Sequence, residues 1–324
     1  MHYDHTIVLR SYAIDGSASA RRKVDHVSTD AVSTSIEPPA IAGVRRSFVE
    51  ARGVRFHVTE SGPEDGRPVL ALHGWPQHHW AYRDLLADPP PGLRIIAPDL
   101  PGYGWSGPAP HKWAKYDVAA DVLALIDAMG LDRVLLVGHD WGAFVGYRML
   151  LSSPERIDGY LVMNMSHPWV TPRVLLPQFW RLLTYTPMMA TVGVQVHQRT
   201  RIIERFLFGS GPVSHRLDPA VVRVYTERFR DPVCARTARD TYRTFLLREI
   251  PSSARNPETR RIAVPVRVLF GTADFAVHQS LADPATAKAD DYTFDPVDAG
   301  HFVMDERPDL VRAKLIALAE EAAP

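Results

Sequence analysis

The chain has 324 residues, 46% hydrophobic and 23% charged, with Lys+Arg and Asp+Glu both at 37 and a formal net charge of zero. That balance gives no electrostatic ground for a nucleic-acid or anionic-membrane partner. The one cysteine, Cys234, excludes a disulfide within the chain, and no apolar run approaches the roughly 18 residues of a membrane span.

Residues 1–40 read as an N-terminal extension, surface-draped or mobile. They hold no apolar block with a small-residue cleavage site, and no hydrophobic segment follows Arg21-Arg22 as a twin-arginine signal requires. Ser33 to Pro39 reads as a linker. The expected location is the cytoplasm.

From Phe48 onward the chain has rhythm. Val54-Arg55-Phe56-His57-Val58 alternates like a half-exposed strand. Continuous apolar runs of the kind found in buried parallel strands follow at Val69–Leu72, Arg94–Ala97, Arg133–Val137, Tyr160–Met163 and Val266–Phe270. Tyr116 to Met129 places Val118, Val122, Leu125, Ile126 and Met129 on one helical face, with Gly130 suited to its C-terminus. Strands alternating with helices predict an α/β fold with a mainly parallel sheet. Between Trp169 and Arg255 the rhythm changes to helical spacing alone, over Phe179–Met189, Ile202–Phe208, Ala220–Phe229 and Ala235–Glu249. The predicted organisation is a core over 41–168 and 256–324 with a helical cap over 169–255.

Chemistry gathers at the strand ends. Gly138-His139-Asp140-Trp141-Gly142 follows a strand and opens a helix over Ala143–Leu151, the context of a G-x-S-x-G nucleophile elbow with aspartate in place of serine. Gly271-Thr272-Ala273-Asp274 sets a carboxylate at the end of a later strand, and Gly300-His301-Phe302 follows a further strand-like segment. Asp298 and Asp305 flank His301, but only Asp274 ends a buried strand. His73-Gly74-Trp75-Pro76 follows Val69–Leu72, and the loop Asp99 to Ser106 reads as turn punctuation.

Together HGWP, DLPGYGWS, GHDWG, GTAD and GHF resemble the α/β-hydrolase fold over residues 48–320, and within it the epoxide hydrolase and haloalkane dehalogenase branch, most of all actinobacterial, mycobacterial-type epoxide hydrolases. The resemblance implies an eight-stranded, mainly parallel sheet flanked by helices. It makes Asp140 the nucleophile, Asp274 the acid and His301 the base, in the chain order of that fold. It implies an oxyanion hole from the backbone N–H groups of Trp75 and Trp141. A carboxylate nucleophile suits displacement at saturated carbon and argues against serine esterase, lipase or peptidase chemistry. No cofactor and no metal are implied.

Epoxide opening releases an alkoxide, and epoxide hydrolases meet it with two cap tyrosines. Tyr242, in a Tyr-Arg pair, matches one; Tyr185 suits the other, with Tyr225 in reserve. Dehalogenation instead needs N–H donors toward a halide. Trp141 suits that role, but Trp75 stands where many dehalogenases have Asn, and fluoroacetate enzymes have Arg where this chain has Trp141. A third reading is a non-catalytic ligand-binding protein on this fold, and the complete Asp140, Asp274, His301 set weighs against it. The expected partners are water and a small apolar epoxide, in a pocket to which Trp75, Trp105, Trp141, Trp169 and Phe179 contribute. The pattern sets no oligomeric state.

Overall fold

The apolar runs become the strands of a single sheet. A computed structural model describes residues 37–207 and 217–322. The expectations for residues 1–36, and for Phe208 as a helix end, lie outside the described residues. Strands β1 (Arg45–Ala51), β2 (Val54–Ser61), β3 (Arg67–Leu72), β4 (Leu93–Pro98), β5 (Val134–His139), β6 (Ile157–Met163), β7 (Val266–Gly271) and β8 (Tyr292–Val297) lie in the order β1-β2-β4-β3-β5-β6-β7-β8. β1 and β2 run antiparallel to their neighbours; β4, β3, β5, β6, β7 and β8 pair in parallel. Every residue of β5 is buried, as a central strand covered on both faces requires.

Two elements escape a periodicity reading. β1 pairs along its length with β2, yet most of its residues are exposed. An edge strand with so little buried surface leaves no apolar alternation to detect. The C-terminal helix over Pro308–Glu321 lies outside the expected helices, although Val311, Leu315 and Leu318 are buried at the i, i+4, i+7 spacing of a helical face.

Helix α1 (Lys115–Ala128) buries Val118, Val122, Leu125 and Ile126, and Gly130 follows its end at φ +66°. α2 (Asp140–Ser152) starts at the elbow residue itself. Between β6 and β7 the chain forms α3 (Phe179–Arg199), α4 (Ile202–Leu207), α5 (Pro219–Arg228) and α6 (Pro232–Thr244). α3 holds Pro187 and runs ten residues beyond the expected Met189, past a break at Val192 (φ −107°, ψ 16°). Its second half continues because Ala190, Gly193, Val196 and His197 are buried there, along the contact with α6.

The helix expected over Ala235–Glu249 changes character at Phe245, where a π-helical turn spans Phe245–Glu249. This turn carries Glu249 to the fully buried Lys115: Glu249 Oε2 lies 2.6 Å from Nζ, and Oε1 accepts the Lys115 backbone N–H at 2.7 Å. The ammonium sits 4.1 Å from the centre of the Trp141 ring. A buried charge needs such a partner, and this pair ties the helices after β6 to the start of α1.

The strand order reverses beside β3: the chain moves from β3 to β4 on one side, then crosses to β5 on the other. In open parallel sheets a crevice forms at the carboxyl ends of the strands at this point. Trp75 follows β3 and Asp140 follows β5, so both segments emerge there. Among the described residues no helix is long and apolar enough to cross a membrane.

Candidate active site

Asp140 sits on a strained backbone at φ +48°, a conformation that costs a non-glycine residue energy and that the surroundings must impose. The imposition is steric. A β-carbon on Gly142 would strike the carbonyl oxygens of Leu72 and His73, so the α2 start can lie against β3 only with glycine there. The Asp140 side chain accepts the Trp75 backbone N–H on Oδ2 at 2.9 Å, and the neighbouring Trp141 amide adds to the field that favours its anion. Burial raises the Asp140 pKa, opposed by His301 and those two amides.

His301 Nε2 stands 3.9 Å from Asp140 Oδ1, and its Nδ1 donates to Asp274 Oδ2 at 2.8 Å. Burial by itself would lower the His301 pKa, but the Asp274 and Asp140 carboxylates outweigh it and push it up to about 9. The three residues selected from the strand ends therefore meet in one buried cluster.

Two neighbours of this cluster were not read from the sequence. Asn164, just past β6 and fully buried at φ +45°, donates to Asp274 Oδ2 (2.8 Å) and to the Gly300 carbonyl (3.1 Å), and accepts the Gly271 N–H (3.2 Å). It thereby joins the acid to the histidine turn. The backbone N–H groups of Ala276 and Val277 hold the other Asp274 oxygen at 2.7 and 3.0 Å. His139 Nε2 donates to the His301 carbonyl at 2.7 Å. Asp305 does not serve His301: Arg83, Tyr225 and Gln77 bond its carboxylate.

The close packing of these turns yields a stability prediction. A β-carbon on Gly271 would fall far inside van der Waals contact distance of the Gly300 carbonyl oxygen, which is backbone and cannot swing away. Gly271→Ala is expected to destabilise the fold by roughly 1–3 kcal/mol, seen as a lower denaturant midpoint. It should also depress activity by displacing the His301 turn. An unaltered midpoint would contradict this packing.

The loop Asp99 to Ser106 is more than punctuation. Asp99, fully buried, accepts the His79 N–H (2.7 Å) and Nδ1 (2.9 Å) on one oxygen, and His57 Nδ1 (2.8 Å) and the Trp105 N–H (2.9 Å) on the other. Burial alone would raise its pKa; the two histidines hold it well below the usual carboxylate range. His57, His79 and Asp99 are a metal-ligand grouping among the described residues, yet all of roughly four lone-pair sites on the carboxylate are taken by N–H donors. The carboxylate is the centre of a hydrogen-bonded hub, while Nε2 of His79 is buried without a hydrogen-bond partner. It seats the loop from which Tyr103 bonds Thr241 on α6 at 2.8 Å. His73 adds a second tie, accepting the Leu100 N–H at 2.9 Å with a pKa lowered to about 4 by burial.

Tyr242, on α6, and Tyr185, on α3, meet with ring centroids 5.6 Å apart. Burial and then the Asp140 charge raise the pKa of Tyr185, against the hydrogen bond to Tyr242 that lowers it; burial, then Tyr185 and the Asp140 charge, raise that of Tyr242, so both hold their protons. Trp75 lies parallel to Tyr185 (6.0 Å, 9°) and edge-on to Tyr242 (5.2 Å, 89°), and Trp141 meets Tyr242 at 5.6 Å. Tyr225 is spent elsewhere, with its hydroxyl 2.8 Å from Asp305 and its ring against His78 and Trp80. Of the aromatics expected in the pocket, Trp105 packs on His57, His78 and His79. Trp169 packs on Tyr147 and His167, with its indole bonded to the Arg260 carbonyl.

An alpha/beta hydrolase fold family model matches residues 67–308. Over 288 residues the chain is 26% identical to AB hydrolase superfamily protein YfhM of Bacillus subtilis (strain 168), covering 85% of this chain and 97% of that one. It is 25% identical over 288 residues to Epoxide hydrolase 4 of Mus musculus, covering 84% and 78%. A solved structure of a Vigna radiata epoxide hydrolase mutant superposes with a TM-score of 0.72 at 19% identity, covering 87% of this chain and all of that one, a likeness of fold. With three quarters of its length matched and the eight-stranded sheet in place, the chain belongs to the alpha/beta hydrolase fold family.

Proposed function

We propose that this protein is an epoxide hydrolase that adds water to a small apolar epoxide and releases a vicinal diol. The observation that carries this reading is the pair of protonated phenols, Tyr185 and Tyr242, beside a carboxylate in the elbow. Asp140 attacks an epoxide carbon and forms an alkyl ester, while the ring oxygen takes a phenolic proton. His301, oriented by Asp274, then removes a proton from water, which attacks the ester carbonyl of Asp140. The ester C–O bond breaks, the diol oxygen takes the acid proton to leave the Asp140 carboxylate, and the proton held by His301 goes back to the phenolate. In this reading the tetrahedral oxyanion is stabilised by the backbone N–H groups of Trp75, which already bonds Asp140 Oδ2, and of Trp141. In this reading residues 169–255 act as the cap that brings the phenols, over a catalytic core of 41–168 and 256–324.

The test is turnover of styrene oxide, an aliphatic epoxide and a bromoalkane side by side, in ¹⁸O-water. Diol is expected from an epoxide, with ¹⁸O accumulating in the Asp140 carboxylate over repeated turnovers. Bromide release without diol would replace this reading with haloalkane dehalogenation. Diol formation with no label in the Asp140 peptide would exclude the ester.

A further inference from the structure

Trp75 is held at two points. Its backbone N–H bonds Asp140, and its indole N–H, on a ring only 3% exposed, donates to His197 Nε2 at 3.1 Å. A phenylalanine would fill most of the same space without asking for an acceptor. An indole in a dry setting requires one, and α3 supplies it from its last turn. The imidazole is fixed from its other side by stacking on Phe229 (4.7 Å, 22°). Burial pushes its pKa down to about 3, so its lone pair is available to accept.

The same helix reaches the site at two further places. Tyr185 lies flat against the Trp75 ring, and Arg181, one turn earlier, donates to the carbonyls of Asp274 (3.3 Å) and Phe275 (2.7 Å). α3 therefore grips the acid turn at Arg181 and the Trp75 ring from both sides of its break at Val192.

We propose that His197 is a positioning residue: by accepting the Trp75 indole N–H, it fixes the ring on which Tyr185 and Tyr242 stand and, through the same residue, the oxyanion N–H on Asp140. The inference rests on the epoxide hydrolase reading and adds a residue to it. Rotation of the Trp75 side chain would break the indole bond and displace the wall behind both phenols. A small misplacement of such groups lowers the rate of the chemical step more than it weakens substrate binding.

The test compares His197→Phe, His197→Gln and Trp75→Phe, singly and with His197→Phe and Trp75→Phe combined. Each is read by kcat and KM on styrene oxide and by the Trp75 indole ¹H–¹⁵N resonance, assigned by its loss in Trp75→Phe. His197→Phe is expected to move that resonance upfield and to lower kcat by about 10- to 10²-fold with little change in KM. His197→Gln, whose amide oxygen reaches about as far as Nε2, should restore both. In the Trp75→Phe background His197→Phe should add less than about a twofold loss, because coupled residues are non-additive. An unmoved resonance in His197→Phe, or losses that simply multiply, would overturn the proposal. If His197→Phe does not fold, His197→Asn, whose amide stops short of the indole, takes its place. A parent protein that opens no epoxide would defeat the functional reading, and the resonance would still decide whether His197 holds Trp75.

Discussion

His301→Gln is expected to stop turnover while leaving epoxide opening intact, so that the protein gains the mass of one substrate molecule. The reason lies in the division of labour at the cluster. In the proposed mechanism Asp140 needs no base to attack, because it is itself the anion; a base is required only when water attacks the ester. With Asp274 and Asn164 in place, a glutamine leaves the surroundings of the turn largely unchanged and removes only the proton acceptor. Intact-protein mass spectrometry after mixing with styrene oxide reads the adduct, and peptide mapping should place it on Asp140. Full steady-state turnover in this variant would remove His301 from the mechanism.

The same step has a pH dependence of definite sign. In the resting protein His301 has its pKa pushed up to about 9, partly by the Asp140 charge. In the proposed mechanism ester formation cancels that charge, so the imidazole becomes less basic as the second half-reaction begins. Hydrolysis of the ester needs neutral His301, and its rate should therefore rise with pH and level off below pH about 9. A rate that falls across this range would contradict the assignment of His301 as base.

Tyr185→Phe combined with Tyr242→Phe is expected to lower the rate of epoxide opening by about 10²–10⁴-fold, the usual worth of general-acid assistance. Ring volume is conserved, so the aromatic packing with Trp75 and Trp141 should survive. The raised pKa values matter here. Each phenol is a weak acid beside the Asp140 anion, and it gives up its proton only when the ring-opened alkoxide, a stronger base, appears next to it. Tyr242 should show the larger single effect, because it contacts Trp75, Trp141 and Tyr185 together. Pre-steady-state rates of alkylation measure the loss, and ester hydrolysis, which relies on His301 and the amides, should stay within a few-fold of the parent. If both single variants open epoxides at the parent rate while Trp141→Phe abolishes bromide release from a bromoalkane, leaving-group assistance by the phenols is wrong.

Local pattern was sufficient for the strands that build the sheet centre and for Asp140, Asp274 and His301. Asp140 and Asp274 are announced by glycine and an apolar run, and His301 by Gly300 after a strand-like segment, and a parallel sheet delivers all such strand ends to one edge. The residues that pack around this cluster carry no such mark. Asn164 meets Asp274 across 110 positions, His139 meets His301 across 162, and the Trp75 indole meets His197 across 122. The choice between Tyr185 and Tyr225 had the same origin: both are aromatics on helices after β6, and only packing turns one toward Asp140 and the other toward Asp305 and Arg83. Asp99 looked like a turn residue because its two histidine partners lie 20 and 42 positions away. Strand and turn identity follow from interactions between near neighbours, which a linear pattern records. Hydrogen-bond partnership between distant segments depends on how whole elements settle against each other, and that is decided only when the tertiary structure forms.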